Sequence, residues 1–201
     1  MTVGVPIDFD RASHTYRLGG RVVPSVSDVL EPLQLLDGIP EKVLEEARIR
    51  GQHVHSAIHM MIHNALDWPT LHTDYVPYVT AARKFIRECE VKVIASEYRM
   101  GDDGLRFGGT LDLLGVMKRM TAVIDWKAVA QMPRTAGPQT AAYDYLYRRQ
   151  LGGARGGPRP FKRYGVQLLA TGDYRLFPFE DPRDWNVFLS ALNIWHWRAA
   201  A

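Results

Sequence analysis

Three residues carry the plainest chemical signal in this sequence. They are Asp112, Asp125 and Lys127, in the pattern D-x12-D-x-K. Carboxylate oxygens are what a hard divalent cation takes as ligands, often only one or two of them, with water and substrate phosphate completing the shell. An ammonium beside such a cation can hold a nucleophilic water or neutralise charge growing on a phosphate. Enzymatic rate enhancements correspond to about 8–23 kcal/mol, and one positioned general acid or base supplies only about 10²–10⁴-fold. Phosphodiester cleavage at neutral pH therefore asks for charge stabilisation as well. The competing reading is a cross-strand ion pair on a solvated face. The apolar neighbours Leu111, Leu113, Val123, Ile124, Trp126 and Ala128 argue against it, because buried charges are seldom tolerated without a partner or a metal.

The stretch from Gly108 to Lys127, GGTLDLLGVMKRMTAVIDWK, reads as two strands joined at Lys118-Arg119, a charged pair in an otherwise apolar run. Counting outwards from that turn sets Asp112 opposite Asp125, facing it across the ladder, and period-two alternation puts Lys127 on the same face. Before this hairpin, residues 5–24 read as a small β-ribbon with a Gly19-Gly20 turn, and Ser25 or Ser27 caps a short helix through Leu30 that stops near Pro32. A long helix is expected from Glu41 to about Leu66, with Val43, Leu44, Ala47, Val54, Ile58, Met61 and Ile62 on its apolar side. Gly51 inside it suggests a break or a close backbone approach. A second helix runs from about Val76 to Cys89, and the strand VKVIASEYRM leads into the hairpin.

After the hairpin come a loop at Met132-Pro133, a helix from about Thr135 to Tyr147, and the stretch RRQLGGARGGPRPFKR. Its glycines and prolines, with no acid, read as a mobile basic loop over 148–163. Arg148, Arg149, Arg155, Arg159, Lys162 and Arg163 are its candidate phosphate contacts. A second hairpin around Gly172-Asp173 and a helix from about Trp185 to Trp197, begun by Asp181 or Asp184, complete the chain. The expected fold class is a mixed α/β (α+β) domain over 1–201, a central sheet flanked by helices, with the ribbon and short helix occupying 1–35.

The composition bounds the rest. A chain of 201 residues with 46% hydrophobic and 23% charged residues is ordinary for a globular protein, and a net charge of +3 permits a polyanionic partner without requiring one. One cysteine, Cys89, excludes an internal disulfide framework and a cysteine-built zinc or iron–sulfur site. No apolar run is long enough for a bilayer and no secretory signal is visible, so a cytoplasmic protein is expected.

In these motifs the chain resembles the PD-(D/E)XK nucleases, and within them the RecB-like branch that includes lambda-type and CRISPR-adaptation exonucleases. The resemblance covers most of the chain. GGTLD ends at Asp112 and DWK supplies Asp125 and Lys127; GQHVH holds Gly51 and His55; ASEYR holds Glu97; QTAAY holds Gln139 and Tyr143. It implies a restriction-endonuclease-like core and one or two Mg²⁺ or Mn²⁺ ions. It implies Asp112 and Asp125 as metal ligands, helped by the backbone carbonyl of Trp126, with His55 ligating or flanking a metal and Glu97 binding directly or through water. Lys127 orients the water, and Gln139 and Tyr143, one helical turn apart, line the site. The implied activity is a DNA exonuclease of bacterial or phage-infected cytoplasm, acting in recombination or processing. Its implied partners are DNA, a homo-oligomer, or a recombination or single-strand-binding protein. The iron–sulfur cluster of the CRISPR-adaptation branch cannot form here. The position four after His55, often glutamate in the family, is His59.

Other functions stay open: a structure-selective or nicking endonuclease, a catalytically silent DNA- or protein-binding module, or a zinc hydrolase on the helix carrying His55, His59 and His63. The i, i+4 histidine spacing permits zinc, but no third ligand accompanies it in the sequence. Trp185, Trp195 and Trp197 read as core or interface residues, because they lie on a helix with an apolar face.

Overall fold

A computed structural model describes residues 7–10, 13, 15–34, 40–150 and 161–200. Three short antiparallel strands come first: β1 (Ile7–Asp10), β2 (Thr15–Leu18) and β3 (Arg21–Val23). Gly19 and Gly20 take positive φ in the turn between β2 and β3. Helix α1 (Val26–Leu30) starts at Ser25, whose hydroxyl accepts from the Asp28 N–H while the Asp28 carboxylate accepts from the Ser25 N–H. That reciprocal capping box selects Ser25 over Ser27.

Helix α2 (Glu41–Ile62) runs 22 residues without interruption. The expected break at Gly51 does not occur, and a Cβ built there would meet nothing within 4 Å. Val43, assigned to the apolar side, is 51% exposed. Only Val54, Ala57 and Ile58 are buried, because the sheet lies beneath the C-terminal half of the helix and the first turns overhang its end. The helix stops before Leu66 because Asn64 turns left-handed, with the Ala65 N–H donating to the Met60 carbonyl. Helix α3 (Val76–Glu88) packs against α2.

The main sheet holds five strands in the order β4-β5-β6-β7-β8. They are β4 (Lys92–Asp102), β5 (Phe107–Met117), β6 (Met120–Lys127), β7 (Lys162–Leu168) and β8 (Tyr174–Pro178). Met117 pairs with Met120 around Lys118-Arg119, where both residues take positive φ. That is the primed-turn twist a two-residue hairpin needs. β6 pairs with β7 in parallel, and the crossover between them carries α4 (Ala136–Gln150); every other pairing is antiparallel. Helix α5 (Arg183–Ala199) packs on α4.

The sheet has a core on each face. On one side Leu113, Ile124, Trp126 and Val166 meet α2 and α3 through Ile58 and Phe85; on the other Leu111, Leu114 and Val123 meet α1, α4 and α5 through Val26, Leu146 and Phe188. This is a mixed α/β architecture, a five-stranded mixed sheet flanked by helices. No described helix is long and apolar enough to cross a membrane.

The basic stretch divides differently from the expected loop over 148–163. Arg148 and Arg149 belong to α4, and Lys162 and Arg163 to β7. Helical propensity carries α4 past Tyr147 as far as Gln150. Arg155 and Arg159 lie outside the described residues.

Candidate active site

The β5–β6 ladder ends at Leu113↔Ile124, one step short of Asp112 and Asp125. The two aspartates therefore do not form the ordinary facing pair that counting from the turn implies. Phe107, Leu111 and Leu114 pack into one core and Leu113 into the other. Strict alternation would put Leu111 and Leu113 on one face, so the pleat slips between them, at Asp112. The Asp112 Oδ2 accepts the Trp126 N–H at 2.8 Å, replacing the lost ladder bond with a charge-assisted one.

β4 is irregular at the same level. Ser96↔Leu113 and Tyr98↔Leu111 bracket Glu97 and place it opposite Asp112. Glu97 has φ 51°, a left-handed conformation that costs a non-glycine residue about 1–2 kcal/mol. Strain of this kind persists where surrounding structure enforces it, and it gathers at functional sites.

From α2, His55 reaches both strands. Its Nδ1 is 3.1 Å from Asp112 Oδ1 and its Nε2 is 3.0 Å from the Trp126 carbonyl oxygen. With an acceptor at each ring nitrogen the imidazolium form is favoured. Burial pushes the His55 imidazole down, but the charge and hydrogen bond of Asp112 outweigh it and leave it raised to about 9. Burial pushes the Asp112 carboxyl up; His55, Lys127 and the Trp126 N–H together bring it below its ordinary value. Ligand atoms of His55, Glu97 and Asp112 all lie within 4.8 Å of one another, and this is the one such group of histidine, cysteine and acidic residues among the described residues.

Asp125 does not join that group. It is fully buried and its Oδ2 lies 2.7 Å from the Lys127 Nζ. At that distance the ammonium and the carboxylate form a buried ion pair. Burial holds the Asp125 carboxyl above its ordinary range, against the pull of Lys127 and with a further push from Asp112. Lys127 donates to Gln139 Oε1 at 2.9 Å, which brings α4 to the site. One turn on, Tyr143 is buried; burial, Asp112 and Asp125 all push its phenol well up, so it stays protonated. Gly109 makes room for it: a Cβ there would stand 2.9 Å from Tyr143 Cε1 and 3.0 Å from Val26 Cγ2.

The structure thus brings together His55, Glu97, Asp112, Asp125, the Trp126 carbonyl, Lys127, Gln139 and Tyr143. The other two histidines of α2 turn to a neighbour of the site. Ser96 Oγ is 2.7 Å from His59 Nδ1 and 3.1 Å from His63 Nε2. The basic residues are engaged elsewhere. Arg148 pairs with Asp144, Arg149 with the buried Asp102 and Lys162 with Glu180. Arg163 is 11% exposed; it bonds Asp184, the Gly137 carbonyl and the Asp181 carbonyl, and so ties β7 to both α4 and α5. A phosphate would have to displace a carboxylate from each of these four.

Gln167 was not singled out by the sequence. It is buried on β7, in register with Lys127, and donates to the Val129 and Ala130 carbonyls, shaping the chain just beyond the lysine. Its one sequence signal is an amide in the apolar strand YGVQLL.

Compared with known proteins, the chain matches no family model and no curated sequence. Among solved structures it is similar to LHK-Exo in complex with dAMP, at 11% identity and a TM-score of 0.38, over 88% of this chain and 87% of that one. A second structure, the alkaline exonuclease LHK-Exo from Laribacter hongkongensis, is 14% identical with a TM-score of 0.29, over 88% of this chain and 92% of that one. At these values the likeness carries no argument, and the chemistry rests on the site's own residues.

Proposed function

We propose that this protein is a metal-dependent nuclease that hydrolyses DNA phosphodiester bonds, with exonuclease action as the form its sequence resemblance favours. One observation carries the reading: His55, Glu97 and Asp112 converge within 4.8 Å of one another, beside a buried Asp125 paired with Lys127. The donor set suits a hard divalent cation such as Mg²⁺ or Mn²⁺, mostly carboxylate oxygen with one imidazole. The fully buried Asp125 supports the fit: even beside the Lys127 ammonium, burial holds its carboxyl above its ordinary range, and a further cation would favour the charged form.

His55, Glu97, Asp112, Asp125 and the Trp126 carbonyl are the residues that would hold the ion. When bound, it would supply Lewis-acid stabilisation of phosphate charge and an activated water. The chain's own contribution is positional. Asp125 and Gln139 hold the Lys127 ammonium from two sides, ready to take up negative charge on a phosphate. Tyr143 keeps its proton and walls the site. His55 fixes Asp112 and the end of β6 with one ring.

DNA is the proposed substrate. Recombination or DNA processing, a homo-oligomer, and Arg155 and Arg159 as phosphate contacts belong to the same proposal. The zinc-hydrolase alternative finds less support, because His59 and His63 meet a serine hydroxyl, not a third strong ligand.

The test is incubation with linear and circular DNA in Mg²⁺, Mn²⁺ or EDTA, beside Asp112→Asn and Lys127→Ala. Metal-dependent loss of linear DNA, abolished by both variants, is expected. No cleavage of any DNA would sink the enzyme reading. Circles cut as fast as linear ends would make it an endonuclease.

A further inference from the structure

Among the described residues nothing requires glycine at position 51. Its φ is not in the left-handed region, so no backbone conformation requires it. It lies in the middle of the 22-residue α2, where glycine is among the poorest helix formers. A Cβ built on it meets nothing within 4 Å. Alanine would fit there without a clash against any described residue.

Its position suggests what else keeps it small. Gly51 precedes His55 by four residues, so it lies on the same side of α2 one turn earlier, where the helix overhangs the end of the sheet. Beside it, Arg50 donates from Nε to the Ala128 carbonyl at 3.4 Å and lies 6.0 Å from the centre of the Tyr78 ring. That sets its guanidinium at the chain just beyond the end of β6, where Ala128 follows Lys127. Its two terminal nitrogens make no hydrogen bond among the described residues, and guanidinium donors of this kind match phosphate oxygens.

We infer that the overhanging face of α2 at Gly51 and Arg50 is where the sugar–phosphate backbone of the nucleic-acid substrate lies as it enters the site, with Gly51 the point of closest approach and Arg50 a phosphate contact. This rests on the nuclease reading. It adds that the substrate is a polymer lying against a helix backbone, not a small phosphodiester held at the cation alone.

The test separates the two ideas. Binding of a labelled oligonucleotide is followed by fluorescence anisotropy in EDTA for the wild type, Gly51→Ala, Gly51→Leu and Arg50→Ala, with melting temperature measured in parallel. Hydrolysis of bis(4-nitrophenyl) phosphate in Mn²⁺ is followed for the same proteins. Both Gly51 variants are expected to melt about 2–4 °C higher, because each is a better helix former. Each is also expected to bind the oligonucleotide more weakly, alanine less affected than leucine and leucine by about tenfold or more. Hydrolysis of the small diester is expected to be spared. Arg50→Ala is expected to lower the magnitude of the log–log salt slope of binding by about 0.7–0.9. Oligonucleotide binding unchanged in both Gly51 variants, or small-diester hydrolysis lost along with it, overturns the inference while leaving the nuclease reading standing. A wild type that neither binds nor cuts DNA removes the nuclease reading first, and this one with it.

Discussion

His55 Nδ1 stands 3.1 Å from Asp112 Oδ1, and this contact joins α2 to β5 at the level where the sheet's central ladder ends. With the Trp126 carbonyl at its other nitrogen, the ring spans two groups that would also hold a cation.

That placement sets a pH dependence. His55 is raised to about 9 from an ordinary 6.5. A raised pKa contributes stability fully below the unfolded value and loses it as pH rises through the folded one. The stability difference between wild type and His55→Gln in EDTA is therefore expected to shrink between about pH 6.5 and 9. Over the same window Mn²⁺ affinity in the wild type is expected to rise, since ligation by His55 releases its proton. Thermal melts and calorimetric Mn²⁺ titrations across that range check both; a flat profile in each disproves the bridging imidazolium.

The burial of Asp125 is expected to cost stability. Its carboxylate is fully buried, and burial outweighs the pull of the Lys127 ammonium beside it, so the charged form is disfavoured. Asp125→Asn is expected to melt higher than wild type in EDTA, to lose the stabilisation wild type gains from Mg²⁺, and to cut DNA at least about 10²-fold more slowly. Melting curves with and without Mg²⁺ would show it; lower stability in EDTA counts against a charge disfavoured by burial.

Glu97 can be divided into backbone and side chain. Glu97→Ala removes the carboxylate and keeps the cost of the left-handed φ, whereas Glu97→Gly removes the carboxylate and that cost together. The glycine variant is expected to be more stable than the alanine variant by about 1 kcal/mol, although glycine in an ordinary strand position is the less stable choice. Both are expected to bind Mn²⁺ more weakly. Chemical denaturation of the pair decides the first point and metal titration the second.

Gly109→Ala drives a methyl into Tyr143 and Val26. It is expected to cost about 1–3 kcal/mol and to lower cleavage by moving Tyr143 off the site. A variant with both stability and activity intact would show that Tyr143 does not need this close approach.

Arg163→Ala leaves the half-buried Asp184 without its cation. About 1–3 kcal/mol of destabilisation is expected, measured by urea denaturation. If the fold is instead unaffected and only DNA affinity falls, Arg163 is a phosphate contact after all.

Much of the frame was legible because it is written locally. The Lys118-Arg119 turn, the Ser25 cap and the repeats of two and 3.6 residues all involve neighbours a few positions apart. The division of the basic stretch between α4 and β7 is not written locally. Arg149 and Arg163 owe their placement to Asp102 and Asp184, 47 and 21 positions away, and no local pattern announces those pairings.

The sequence alone determined that the chain carries two aspartates and a lysine at the end of a central hairpin, with His55, Glu97, Gln139 and Tyr143 on elements able to flank them. Residue type and strand period suffice for that. Only the tertiary structure decided how they divide. His55, Glu97 and Asp112 converge as one group, while Asp125 turns to Lys127. The division follows from the pleat slip at Asp112, the left-handed backbone at Glu97 and the unpairing of β5 from β6. These irregularities arise where two cores and the packing of α2 compete with ideal strand geometry, and alternation along a strand cannot reveal the place where alternation fails.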